Sequence, residues 1–229
     1  PAWRGNMNDI SFTEALGIVP GITAIIGGGG KTSLMNRLAA ELSAAGSRVI
    51  ICTSTHIWRP ADLPVLENAA EADIAAALME HSVVCVGERE EEKLIAPKLP
   101  IALLNGLAPY VIAEADGSKG LPLKAHGKNE PVIPPGSKVI YVVGADGIGK
   151  PIAESAHRPE LYARRLGADV GHVVTPEDAA TMVDYGDTVL FNKAERPKDV
   201  ENGRAFAKAF HGRTVIAALK QGRVIEVIN

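Results

Sequence analysis

Short apolar runs rich in β-branched residues recur along the chain, with helical spacing between them. The runs are Ile22 to Ile26, Arg48 to Thr53, Ser82 to Val86, Tyr110 to Glu114, Val139 to Gly144, Val170 to Val174, Thr188 to Asn192 and Thr214 to Ala217. Most are apolar throughout and do not alternate. That pattern predicts strands covered on both faces, as in a parallel sheet. Between them, Lys31 to Ala45 sets Leu34, Leu38 and Leu42 on one helical stripe, and Gly46 suits the position just past a helix end. Ser11-Phe-Thr-Glu14 reads as a capping box, and Thr175-Pro-Glu-Asp178 as a capped start with Pro in the first turn. A further helix is expected over Lys198 to Phe210. The closing stretch TVIAALKQGRVIEVI reads as two strands around a Gln-Gly turn. The charge run Glu88 to Lys93 reads as a solvated turn.

Strands alternating with helices predict an α/β three-layer sandwich with a mainly parallel sheet. No repeat or low-complexity linker divides the 229 residues. One domain over 1–229 is therefore expected, with 1–15 as a loosely attached N-terminal segment.

Composition narrows the core and the partners. Aromatics are 4%, so Ala, Val, Ile and Leu must fill the interior. The net charge of -3 gives no support for a nucleic-acid or anionic-membrane surface. Cys52 and Cys85 sit inside apolar runs and read as small buried hydrophobes; no CxxC suggests a zinc knuckle. No signal peptide or apolar run of membrane-spanning length is apparent, so the cytoplasm is the expected compartment.

The candidate chemistry begins at IIGGGGKTSLM, where glycines follow a predicted strand and open a predicted helix. A full P-loop asks for a glycine five residues before the Gly-Lys pair, and Ile25 stands there. A shorter cradle, G-x-x-G-K-T, fits Gly27, Gly30, Lys31 and Thr32. It resembles the short loop of Mur-type ligases. Gly27, Gly28, Gly29, Gly30 and Ser33 would line the phosphates, because backbone N–H groups at a helix N-terminus favour anions. Lys31 would reach the phosphates and Thr32 would hold Mg²⁺. Downstream, Gly144 to Lys150 matches the full spacing, but Pro151 replaces the hydroxyl and Asp146 would set a negative charge in the nest.

Other strand ends supply polar groups. YVIAEADGSKG ends a strand in Glu114 and Asp116, the layout of a Walker B segment, with either acid a metal or catalytic candidate and Lys119 a possible phosphate partner. Thr53 and Thr55, at the tip CTSTHI, are candidates for the Mg²⁺ site, and His56 beside them is a weaker one. TVLFNKAERP resembles the NKxD guanine reader of GTPases at Asn192, Lys193 and Glu195, with Glu in place of Asp. ESAHRPEL offers His157, Arg158 and Glu160, where an arginine could stabilise phosphate charge.

Together GGGGKTS, CTSTHI, the block EADGSKGLPLKAHGKNEPVIP from Glu114 to Pro134, HRPE and NKAE resemble the YqeC-like family. The likeness runs from about Leu16 to Glu195. It implies a P-loop NTPase-like fold and an accessory role in maturing selenium-dependent molybdenum hydroxylases. It also points to Lys119, Lys124 and Glu130 as pocket residues. Three functions follow as expectations. One is a Mg²⁺-dependent NTPase with GTP ahead of ATP, acting on a molybdenum hydroxylase or its cofactor. The second is a kinase- or ligase-like phosphotransfer enzyme, and the third a non-hydrolysing carrier of a nucleotide-containing cofactor.

Overall fold

The computed structural model describes residues 10–186 and 188–229. In chain order it contains α1 (Phe12–Ala15), β1 (Gly21–Gly27), α2 (Lys31–Ala44), β2 (Val49–Thr53), β3 (His56–Trp58), β4 (Val65–Leu66), α3 (Glu71–Glu80), β5 (Val83–Val86), β6 (Glu88–Glu90) and β7 (Lys93–Ile95). There follow α4 (Ile101–Leu104), β8 (Tyr110–Glu114), β9 (Leu123–Lys124), β10 (Lys138–Gly144), α5 (Ile152–Ser155), β11 (Ala156–His157) and α6 (Pro159–Leu166). The last elements are α7 (Pro176–Thr181), β12 (Thr188–Asn192), α8 (Pro197–Phe210), β13 (Arg213–Ala218) and β14 (Arg223–Ile228).

Nine strands form one sheet in the order β14-β13-β12-β10-β1-β8-β2-β5-β4. Every neighbouring pair is parallel except β13 with β14. Helices cover both faces, so the molecule is an α/β three-layer sandwich of P-loop NTPase-like fold. The uninterrupted apolar strands follow from this cover. Along β1, Ile25 joins a core with Leu34 and Leu38 of α2, while its neighbours Ala24 and Ile26 join an opposite core with Tyr162 of α6 and Phe206 of α8. Beyond β8, Ile50, Val84 and Val111 pack against Ile74 of α3 and Leu104 of α4.

The glycine after α2 acts as expected. Gly46 has φ +81, its N–H donates to the Ser43 carbonyl and that of Ser47 to the Leu42 carbonyl, which closes the helix in a Schellman motif. Phe12, Ala15 and Leu16 are buried in the core on the α2 face, so residues 12–16 are packed rather than loose; 1–9 lie outside the described residues.

Two expected elements differ. Residues 170–174 form no strand: Asp169 folds the chain back by accepting from the Gly171 N–H at 2.7 Å, and Val173 meets Pro151 only in an isolated bridge. Val170 and Val173 are exposed, so their β-branched character reports no buried sheet. The charge run at Glu88 is not simply a turn. It forms the hairpin β6–β7, whose second strand pairs with β3. Leu94, buried at its centre, is the anchor.

The chain runs from β1 through α2 to β2 on one side, and later continues from β10 to β12 and β13 on the other. The strand order therefore reverses between β1 and β10. In open α/β sheets, ligands bind at the carboxyl ends of the strands at such a point.

Candidate functional site

The glycine loop joins β1 to α2 at this reversal, and its shape explains its composition. Gly27, Gly29 and Gly30 have φ of +92, +85 and +128, values that side chains rarely adopt. Gly28 is required by space: a Cβ there would stand 2.6 Å from the Leu121 carbonyl oxygen. The tip Gly144, part of the better-spaced decoy, touches this loop without being a second cradle. It lies against Gly29, and its N–H donates to Pro122 O at 3.0 Å.

Three loop amides are already used. Gly27 N–H donates to Asp116 Oδ2 at 2.9 Å, Gly28 N–H to Val142 O at 2.9 Å and Gly29 N–H to Leu121 O at 3.1 Å. The next four differ. Among the described residues, the amides of Gly30, Lys31, Thr32 and Ser33 have no protein acceptor, and Gly30 provides no side-chain cap to α2. Thr32 and Ser33 are exposed at this opening.

Lys31 lies beneath it, 4% exposed. Its Nζ donates to Gly27 O at 2.9 Å and Ser118 Oγ at 3.0 Å, and stands 3.3 Å from Asp116 Oδ1 and 3.6 Å from Glu114 Oε1. Thr32 Oγ1 donates to Glu114 Oε2 at 2.7 Å. The loop, the helix start and the two strand-tip acids are thus one unit.

The two acids occupy opposite environments. Burial pushes the Glu114 carboxyl above its ordinary range; Lys31 and the Thr32 hydroxyl oppose this without cancelling it, and Asp116 adds to it. Asp116 is also buried, but the His126 hydrogen bond, the Lys31 and Lys124 ammoniums and the Gly27 amide outweigh burial and hold its carboxyl at about 2. Environments that push two carboxyl groups apart separate their roles. Asp116 is the more strongly held anion, and Glu114 is the more readily protonated of the two.

Around Asp116 lies a buried ionic network. His126 Nε2 donates to Asp116 Oδ2 at 2.8 Å, and Nδ1 to Asp184 Oδ1 at 2.7 Å. With carboxylates on both ring nitrogens, the ring serves as imidazolium. Burial opposes that charge, but the two aspartates overcome it and raise the pKa. Arg165 donates to Asp184 and to the His126 carbonyl. Lys124 stands 3.2 Å from Asp116 Oδ2 and 2.8 Å from Glu130 Oε2, and Arg158 lies 3.0 Å from the same Glu130 oxygen.

The remaining expected residues are placed as follows. Lys119 is exposed on the turn after Asp116. Thr53 is fully buried at the end of β2, where its Oγ1 donates to Glu114 O and accepts the Thr55 N–H. Both Thr53 bonds fix the strand tip, and Thr55 lies against it. Asp116 Oδ2 is taken by Gly27 N–H, His126 and Lys124, while its buried Oδ1 accepts no hydrogen bond among the described residues and stands 3.3 Å from Lys31 Nζ. The Thr32–Glu114 pair instead offers a hydroxyl and a carboxylate side by side, which fits Mg²⁺, an ion held by few protein oxygens plus phosphates and waters. Asn192 Nδ2 donates to Gly29 O at 2.8 Å, and its Oδ1 accepts the Leu219 N–H at 3.1 Å. Lys193 pairs with Asp146 at 2.8 Å. Glu195 is exposed, with no ion pair among the described residues. His56 lies away from the cradle contacts and faces Glu90 of the small hairpin sheet.

Sequence reasoning did not single out Ser118, His126 or Asp184. His126 stood inside the block already noted, but a lone histidine carries no local signal. Asp184 is 58 residues further on. Only the fold brings it to the ring.

The sheet order, the short glycine cradle and the strand-tip acids define the class: an α/β protein of P-loop NTPase-like fold. The chain belongs to the YqeC family, whose model, described as YqeC protein, matches residues 23–160. It is 32% identical over 173 residues to "Uncharacterized protein YqeC" of Escherichia coli (strain K12), which covers 72% of this chain and 68% of that protein.

Proposed function

We propose that the protein binds the phosphates of a nucleoside triphosphate with Mg²⁺ and hydrolyses the terminal one. One observation carries this reading: the four consecutive amides of Gly30 to Ser33, at the start of a 14-residue helix, have no protein acceptor among the described residues, and the buried Lys31 is one of them. Such a helix start attracts anions through its N–H groups and dipole. Gly30 to Ser33 would bind the phosphates, and Lys31 would turn from its carboxylate partners toward them. Thr32 and Glu114 would hold Mg²⁺, which would offset phosphate charge when bound. Once Lys31 turns away, the Glu114 oxygen that faces it, Oε1, would be free to orient the attacking water. GTP is preferred over ATP in this reading because the free Glu195 carboxylate follows Lys193 at the end of β12. The family resemblance alone supports a setting in the maturation of a selenium-dependent molybdenum hydroxylase.

Calorimetry with GTP, ATP and CTP in the presence of Mg²⁺ tests the binding. The wild type should bind, and Lys31→Ala should not. Lys31 also neutralises buried acids, so Gly28→Ala provides a second disruption of the loop. Absence of nucleotide binding by the wild type sinks the reading. Binding with no phosphate release would make the protein a carrier. Release only with an added acceptor would favour the phosphotransfer reading, toward which the cations beyond the cradle point.

A further inference from the structure

Beyond Lys124 the charges change in character. Lys124 is fully buried and spent on Asp116 and Glu130. Lys119 and Arg158 stand farther out. Lys119 has no ion-pair partner among the described residues, and the Arg158 side chain is 41% exposed and shares Glu130 with Lys124. One carboxylate therefore meets two strong cations, and a third lies nearby. Both outer residues hold a left-handed backbone, with φ +51 at Lys119 and +64 at Arg158. A non-glycine residue pays for that conformation and keeps it only where its surroundings impose it.

His157 precedes Arg158 in the chain, and Lys119 lies within electrostatic reach of its ring. Its strand β11 pairs with β9 in the register His157↔Lys124. Its Nδ1 is buried and has no hydrogen-bond partner among the described residues. A buried ring nitrogen without a partner is uncommon and calls for an explanation. Burial first, then Lys124 and Arg158, lower the pKa of this ring. Its Nδ1 can donate or accept one further bond.

We propose that Lys119, Arg158 and His157 form a second oxyanion subsite, separate from the glycine loop. It takes the carboxylate or phosphate group of a small acceptor or cofactor. Lys119 and Arg158 supply the charge, and His157 Nδ1 a directional bond. Glu130 holds Arg158 in place and leaves the outer cluster with surplus positive charge. The proposal adds a second substrate to the reading above, and rests on it only for what the two sites would exchange.

Inorganic phosphate is the probe. Without nucleotide, the wild type should bind it at two independent places. Lys31→Ala should lose one and keep the other. Arg158→Ala and Lys119→Gly should each weaken the kept one by roughly tenfold, the size of a lost charge-assisted bond. Their effect on Mg²⁺-nucleotide affinity should be far smaller than that of Lys31→Ala. Lys119→Gly carries a further signature. Glycine accepts φ +51 without strain, so thermal stability should rise while phosphate affinity falls. Phosphate binding equal to wild type in both variants would overturn the subsite. So would a parallel loss of nucleotide affinity, which would assign these cations to the nucleotide cradle. Failure of the nucleotide reading would leave the Arg158 and Lys119 arms as they are.

Discussion

The side-chain amide of Asn192 donates to the backbone carbonyl of Gly29 at 2.8 Å, across 163 residues of chain. The same side chain accepts from Leu219 N–H just past β13. Asn192 thus ties the glycine loop to the far side of the sheet. The NKAE segment, on geometry, contributes a brace as well as a candidate base contact.

Asn192→Ala should therefore act on the loop as a whole. It strands a buried carbonyl and a buried N–H, at a cost of about 2 kcal/mol in urea unfolding. Affinity for GTP and ATP should fall together. Glu195→Ala should leave the unfolding midpoint alone and reduce GTP affinity selectively. Reversed behaviour, with Asn192→Ala selective for GTP and Glu195→Ala neutral, would return base reading to the asparagine.

The strands of the sheet were legible because burial on both faces leaves a run of apolar positions, as at residues 49–52 and in Val83–Val86. The cradle was legible because four successive glycines have no use inside a helix or strand. What sequence did not disclose depends on distance. His126 gains its meaning from Asp116 and Asp184, and only the second comes from far along the chain. Val170 and Val173 misled because β-branching reads the same on an exposed loop as in a sheet. The hairpin at Glu88 was hidden because its outer strand is polar and only Leu94 packs inward.

Space around Gly28 gives a second prediction. A Cβ at this position meets the Leu121 oxygen at 2.6 Å and the Pro122 carbonyl carbon at 2.8 Å, and neither backbone can retreat cheaply. Gly28→Ala should destabilise by about 1–3 kcal/mol and weaken phosphate binding at the cradle. Gly117→Ala is the control, because a Cβ there meets nothing within 4 Å. Equal melting temperatures for the two variants would show that the 117–124 segment does not clamp the loop.

The Asp116–His126–Asp184 chain predicts stability limbs at both ends of the pH range. Asp116 titrates at about 2 in the folded protein against an ordinary 3.8. Its contribution is complete above that ordinary value and is lost as pH falls toward 2. The pKa of His126 is raised above its ordinary 6.5. Its contribution is complete below 6.5 and is lost as pH rises through the folded value. Urea midpoints measured against pH should therefore decline on the alkaline side, and His126→Asn should flatten that decline. An alkaline limb unchanged in the variant would assign it to another group.

The Thr32–Glu114 pair supplies the last prediction. Thr32→Val keeps the β-branched shape on an exposed first-turn position and removes only the hydroxyl. The fold should tolerate it, because the lost bond leaves Glu114 still 3.6 Å from the Lys31 ammonium. If Mg²⁺ sits between this hydroxyl and Glu114, the gain in nucleotide affinity on adding Mg²⁺ should shrink by about tenfold or more. Metal-free nucleotide affinity should stay near wild type, because the amides of Gly30 to Ser33 and the Lys31 ammonium are untouched. Thr53→Val is the contrast: it breaks a buried bond to the Glu114 carbonyl, so it should lower stability and leave the Mg²⁺ response intact. A Mg²⁺ response lost in Thr53→Val and kept in Thr32→Val would move the ion from the helix start to the end of β2.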